Sequence, residues 1–352
     1  GQKDLRITAI DVLTRLGDVS CVPVLLDAAT ENDAEIEHAA VETLIELPGK
    51  DVDADLVARL PKASGKLQRI LIEVAGQRQI GEAVPAVVSC LHAGDAGVRS
   101  AAVETIGIIG QGEQAADLVK LLQEAGDSKQ RTGIEKALLS VCGRSGVKCI
   151  PYVRPLTQSS NDQLHMTGLH ALAVIGGPDA LATVKAAVES ARPAVRDEAV
   201  RILSTWPNNW PEDSEAGQAL LTLATSAQEL THRVLGLRGY LHYVRGNSKL
   251  SNEQKVAKIN DVWPNIQQPG ERRQAIAVLG QAPCLNGLEL LKSLAQDPAI
   301  AEEAYSAMVN VAGRGGPGIS RDQRRQVLQM VIEKSKNNGT KQAARRALRR
   351  IR

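Results

Sequence analysis

The stretch GDAGVRSAAVETIGIIGQGEQAADLVKLL, residues Gly94 to Leu122, decides how this chain folds. Val98, Ala102, Ile106 and Ile109 recur close to the helical period, and Ala115, Leu118, Val119 and Leu122 repeat it at i, i+3, i+4 and i+7. Asp95 stands where a carboxylate can accept from free helical N–H groups, and Gly110 where a left-handed residue can close the first helix. The segment therefore reads as two short amphipathic helices folded into a hairpin. A lone hairpin cannot cover both of its apolar faces, so this one needs neighbours of its own kind.

Those neighbours lie on both sides. Anchors in the middle of successive first helices fall at Ala9, Ala40, Leu71, Ala102, Gly133, Gly168, Ala199, Gly236, Ala275, Ala304 and Ala344. The first four steps are 31 residues each, and the later ones are 35, 31, 37, 39, 29 and 40. Second helices repeat separately: Pro23 and Pro85 stand 62 residues apart before aliphatic runs, and Pro151 opens the matching helix further on. Proline fits the first helical turn because its missing N–H would have had no partner there. Gly17, Gly110, Gly143, Gly176 and Gly313 mark the ends of first helices. The pattern predicts an all-α, right-handed α-solenoid of about ten hairpins plus a terminal capping helix. One solenoid fills residues 1–352, with regular 31-residue repeats in 1–177, longer aromatic-containing repeats in 178–313 and a basic cap in 314–352.

Composition agrees. The chain has no Phe, three Trp and four Tyr, so Ala, Leu, Val and Ile must build the core, as suits closely stacked helices. Net charge is +2, but Arg314 to Arg352 carries twelve Lys/Arg against Asp322 and Glu333, which leaves the preceding residues net acidic. No apolar run is long enough for a transmembrane helix, and no signal-peptide pattern opens the chain. It begins GQKDLR without an initiator Met, which reads as a mature or excised fragment.

DAGVRSAAVETIGIIG and RPAVRDEAVRILSTWP, each followed by a second amphipathic helix, resemble HEAT repeats of the short bacterial type also found in phycobilin-lyase-like proteins. Val98-Arg99, Val195-Arg196 and the related Leu5-Arg6 match that pattern; Gln130, His165 and Glu302 depart from it. From about Pro178 onward the chain is similar to HEAT modules of exported bacterial multidomain proteins, often found beside carbohydrate-acting domains. The resemblance implies a superhelix whose second helices line a concave binding face. Arg59, Lys120, Arg154, Lys185 and Lys292 on those helices are candidates to reach it. It also implies an accessory role, and an extracytoplasmic location ahead of a cytoplasmic one.

Three groups of residues invite a functional reading. Trp206, Trp210, Tyr240, Tyr243 and Trp263 cluster in the longest repeats and are candidates for partner binding, since Trp and Tyr combine large contact area with a polar tip. The competing account has these rings plug wider gaps between irregular repeats. Arg345, Arg346, Arg349 and Arg350 form one face of the last helix and are candidates for a polyanion site, against a simple polar cap on the solenoid end. Cys142 and Cys149 flank the turn GRSGVK, close enough for a possible disulfide and an oxidising compartment, against two small buried side chains.

No His makes an i, i+4 pair and none precedes Glu, which argues against a metal-binding helix; each His is expected to be buried or solvated. The loop from Gly313 to Gly318 follows a helix and lacks a Gly-Lys-Ser/Thr continuation, so it reads as a turn and not as a phosphate cradle. No nucleophile elbow is present. The chain is therefore expected to be a monomeric, non-catalytic protein-interaction scaffold or accessory module without cofactor or metal, holding a partner or an adjacent domain on its concave face. The alternative is a nucleic-acid or polyanion module using the basic end. A third class, a HEAT-like DNA glycosylase, needs a basic concave face with aromatics, and most of this chain is acidic and aromatic-poor.

Overall fold

The computed structural model describes residues 1–351 and is all-helical among them, with twenty-one α-helices joined by short 3-10 turns. The chain divides into two compact units, Gly1–Leu181 and the part from Ala182 onward. In the first unit the first helices are Gln2–Leu16, Ala34–Glu46, Gly65–Gln77, Ala96–Ile109, Ser128–Ser145 and Asp162–Ile175. Val22–Thr30, Lys50–Arg59, Val84–Ser89, Gln114–Glu124 and Ile150–Val153 return after the first five of them. The helix Pro178–Val188 crosses the boundary. In the second unit Pro193–Thr205, Leu230–Gly246, Pro269–Gln281 and Ala301–Arg314 alternate with Ser214–Ser226, Asn252–Val262, Leu285–Leu294 and Arg321–Lys334, and Asn338–Arg350 closes the series. Ten hairpins and a last helix are what the repeat spacing predicts.

The expected punctuation recurs with adjustments. Pro23, Pro85 and Pro151 each lie in the first turn of a second helix. Asp95 accepts from the Val98 N–H at 3.0 Å, and Asp33, Asp127, Asn161 and Asp213 cap other helices in the same way. Gly110 differs from expectation: its backbone is extended, with φ −63°, and not left-handed. It is needed for space, since a Cβ there would overlap the Ile106 carbonyl oxygen at 2.5 Å. Gly176 does take the left-handed side, at φ 71°. Gly143 and Gly313 fall inside the last helical turn, and the residues that end those helices are Gly146 and Gly315.

Most anchors sit in the core: Ala40, Leu71, Ala102, Ala199, Ala275, Ala304 and Ala344 are fully buried. Ala9 and Gly133 are exposed. Ala9 lies on a face of the first helix shared with Leu5, Val12 and Leu16, which are exposed as well. At Gly133 the register slips by one residue, and Ile134 is the buried side chain instead.

The arginine of the Val-Arg pairs has a visible purpose. Arg99 reaches back six residues and donates to the Ala93 carbonyl at 2.6 Å, and to Gly94 at 2.8 Å. Arg196, Arg233 and Arg272 make the same i−6 bond to Ser190, Ala227 and Ile266, at 3.5, 3.5 and 3.1 Å. Gln130 departs from the sequence pattern because its neighbour Arg131 does this work, bonding Ala125 at 2.9 Å after the one-residue slip. In these five repeats the arginine ties the first helix to the end of the loop that leads into it, satisfying carbonyls left over from the preceding second helix. Glu302, two residues before its anchor Ala304 where Arg99 and Arg196 stand three before theirs, accepts from Ser335 Oγ and the Lys336 N–H, both at 2.6 Å. Burial acts against its charge, yet these donors hold its carboxyl below the usual range.

A second set of bonds joins successive hairpins. Buried Thr43 and Thr105 donate to the Ile10 and Ile72 carbonyls of the preceding first helix, at 3.3 and 3.0 Å. Arg78, only 8% exposed, donates to Leu44, Ile45 and Leu47 carbonyls and pairs with Asp53. Arg144 donates to Gly107 and Gly110 at 2.7 and 3.0 Å. Hydrogen bonds to a charged group contribute about 1.5–3 kcal/mol, and buried carbonyls stripped of partners add to the loss. R78A is therefore expected to lower unfolding free energy in a denaturant titration by at least about 2 kcal/mol. R59A, which breaks the i, i+4 pair with Asp55, should change it by less than about 1 kcal/mol.

Candidate functional site

Within the second unit a cleft of about 820 Å³ lies between the second helices Pro178–Val188 and Ser214–Ser226 and the loops that follow them. Lys185, Gln218 and Thr222 line it from the helices, and Arg196, Glu229 and His232 from the starts of the next first helices. Its charges are mixed in sign and partly paired: Lys185 faces Glu215 at 3.9 Å and Arg196 bonds Glu229 at 3.1 Å. Val188, Ala219 and Leu223 supply apolar wall between them. Such a surface is chemically suited to an extended polypeptide, which brings backbone donors and acceptors together with side chains of both signs. The other cations expected on second helices are occupied or lie elsewhere. Arg59 is bound by Asp55 and Arg154 by Asp179, while Lys120 is exposed and Lys292 half-buried.

Beside this cleft, where Glu229 and His232 line it, the structure assembles residues that sequence spacing did not bring together. His232 Nε2 stands 2.9 Å from Asp197 Oδ1 and 3.5 Å from Glu229 Oε2, and its side chain is 9% exposed. Asp197 lies on the preceding first helix, 35 residues earlier, and Glu229 is the residue before the His232 helix. His170 and Glu135 form a similar pair across 35 residues in the first unit, at 2.8 Å. His232 is buried, one of the two states, buried or solvated, expected of each His. The expectation of no metal-binding helix rested on spacing along one helix and is blind to a cluster split across two repeats. A carboxylate one repeat length before a histidine was the available signal.

The aromatic candidates divide. Trp206, Tyr240 and Tyr243 are buried at 2%, 2% and 4% exposure. Trp206 Nε1 donates to Asp213 at 3.1 Å, the two Tyr rings lie 6.2 Å apart, and Tyr243 fills the space left by Gly217. Burial pushes the Tyr240 hydroxyl up to about 12. These three rings are part of the core of longer repeats, which corrects their expected place on a binding surface. Trp210 and Trp263 are half-buried and keep part of their rings accessible.

Arg345, Arg346, Arg349 and Arg350 are all exposed on the last helix, whose opposite side docks through buried Ala344. None of the four has an acidic partner among the described residues; Arg346 bonds only the Gln342 carbonyl. Cys142 and Cys149 are both buried and close together, and both are free thiols, as in the reading of two small buried side chains and not a disulfide clip. Burial raises both thiols, Cys142 far above the ordinary range with the Cys149 thiol beside it. No helix among the described residues is long and apolar enough to cross a membrane.

Residues 54–139 match the family model for HEAT repeats. No curated protein matches the sequence. Among solved structures, the chain is similar to karyopherin Kap121p bound to the extreme C-terminus of the protein phosphatase Cdc14p. That match has a TM-score of 0.56 and 12% identity over 98% of this chain and 43% of the karyopherin. Kap121p bound to Nup53p gives 0.56 at 10% identity, over 97% and 43%. The CpcE–CpcF complex of phycocyanin lyase from Nostoc sp. PCC7120 gives 0.34 at 18% identity, over 70% and 94%. The chain spans less than half of the karyopherins it matches, and at these identities the likeness is one of fold.

Thiol accessibility gives a direct check on this arrangement. In native protein at pH 8, Cys21, the one cysteine not classed as buried, is expected to alkylate within minutes. Cys90, Cys142, Cys149 and Cys284 should label only after denaturation. Intact mass should then show five alkyl groups; three would mean the Cys142–Cys149 clip had formed.

Proposed function

From a chain whose residues 54–139 carry HEAT repeats and whose fold is that of an α-solenoid, we propose a non-catalytic scaffold that holds a polypeptide partner. The cleft between Pro178–Val188 and Ser214–Ser226 carries this reading. It is large enough for several side chains, is walled by exposed polar groups of both signs, and is bordered by second helices, the elements that solenoids commonly use to bind ligands. The karyopherin structures support it by analogy of fold, since their partners include the C-terminus of a phosphatase. A displayed random-peptide library selected against the full chain should yield extended peptides whose binding survives 0.5 M salt. T222R, placing a bulky charge on an exposed wall position, should weaken them at least tenfold with the melting curve unchanged. Failure of selection, or selected peptides indifferent to T222R, would sink the proposal.

A second reading is favoured by the four exposed arginines that lack acidic partners on the last helix. Bound to duplex DNA or RNA, they would give an affinity falling with salt at a log–log slope of about −0.9 per phosphate neutralised. The variant R345E/R346E/R349E/R350E should abolish that binding and leave peptide binding at the cleft intact. Nucleic-acid binding that persists in the variant would rule out this helix as its site.

A further inference from the structure

Asp197, Glu229 and His232 form the group of three His, Cys, Asp or Glu ligand atoms lying within 4.8 Å of one another among the described residues. We propose that this cluster is a binding site for a divalent transition-metal ion of the zinc class, opening into the cleft. The inference goes beyond the scaffold reading and does not depend on what occupies the cleft.

Geometry carries it first. Metal–donor bonds of about 2.0–2.2 Å set neighbouring donors roughly 2.9–3.5 Å apart at octahedral or tetrahedral angles. His232 Nε2 stands 2.9 Å from Asp197 Oδ1 and 3.5 Å from Glu229 Oε2, and the three donor atoms all lie within 4.8 Å of one another, so an ion among them draws the two carboxylate oxygens in around the ring nitrogen. The donors also come from two elements already fixed against each other. Asp197 projects from Pro193–Thr205, His232 from Leu230–Gly246, and Glu229 immediately precedes the latter.

Charge carries it second. Two carboxylate oxygens face a single ring nitrogen that is nine-tenths buried. A neutral imidazole has at most one proton at that nitrogen and can satisfy one of them. Arg196 takes the other oxygen of Glu229, Oε1, at 3.1 Å, which orients Oε2 toward the ring in the way outer-shell partners orient metal ligands. A divalent ion in place of the ring proton neutralises both carboxylates at once. One imidazole nitrogen with two carboxylate oxygens and no thiolate suits Zn²⁺ better than Ca²⁺ or Mg²⁺, which favour all-oxygen shells, or Cu⁺, which favours sulfur. Three protein ligands leave at least one coordination position, and Glu229 and His232 both line the cleft, so that position faces its interior.

Zinc chloride titrated calorimetrically into the full chain, dialysed free of chelator, is expected to bind at a stoichiometry near one and to raise the melting temperature. E229Q, at a half-exposed position that tolerates the change, and H232Q should each weaken binding at least tenfold and abolish the melting shift. H170Q, at the paired histidine of the first unit, should leave both unchanged. Should H232Q fail to fold, E229Q and D197N carry the test alone. The absence of a saturable zinc signal would overturn the proposal, leaving the cluster as a structural hydrogen bond between His232 and Asp197. Zinc binding of equal strength in E229Q and D197N would overturn it as well, by placing the ion elsewhere.

Discussion

Every hairpin in this chain is amphipathic on two sides, and the need to cover both sides governs everything else. Ala40, Leu71 and Ala102 are fully buried because each sits where one first helix lies against the next, and at most such positions only a small or slim aliphatic side chain allows that approach. The absence of Phe follows from the same constraint. A core made between parallel layers of helices is thin and repeated, so it is filled by many Ala, Val, Leu and Ile side chains instead of a few large rings. Of the four buried aromatics, Trp206, Tyr240 and Tyr243 lie in the longer repeats, where a glycine such as Gly217 makes room, and Tyr305 lies in a later helix.

Apolar stacking alone would leave the connections loose, because every helix end exposes carbonyls with no intrahelical partner. Arginine meets that need in two ways. Arg99, Arg131, Arg196, Arg233 and Arg272 tie a first helix to the loop just before it. Arg78 and Arg144 tie it to the end of the first helix one repeat earlier. A guanidinium suits both tasks because it offers several donors in one plane and remains charged at any working pH. Unequal repeat lengths arise in loops and in lengthened first helices such as Ser128–Ser145 and Leu230–Gly246, and the arginine restores the register at the start of the helix after the loop.

The cleft follows from the same architecture. On the second helices that border it, Lys185, Glu215, Gln218 and Thr222 form a polar wall, and the loops after them deliver the charged starts of the next first helices to its edge. Arg196 is thereby shared between structure and surface. It holds the Ser190 carbonyl, orients Glu229 and lines the opening. The last helix shows the opposite division of labour, with Ala344 docked and four arginines turned outward.

The sequence by itself determined the helical hairpins, their number and the residues that begin and end most of them. Those features depend on periodicity and on local backbone chemistry, which are written within a few residues of each other. The Val-Arg pairs were visible too, though not the carbonyls they hold. Tertiary structure alone decided which aromatics are buried, where the register slips at Gly133, and how the cysteine pair stands. It also decided that Asp197 and Glu229 would meet at His232. Each of these depends on which face a helix turns toward its neighbour. In a repeat array, small differences in loop length fix that rotation, and contacts one repeat away set it where no local pattern does.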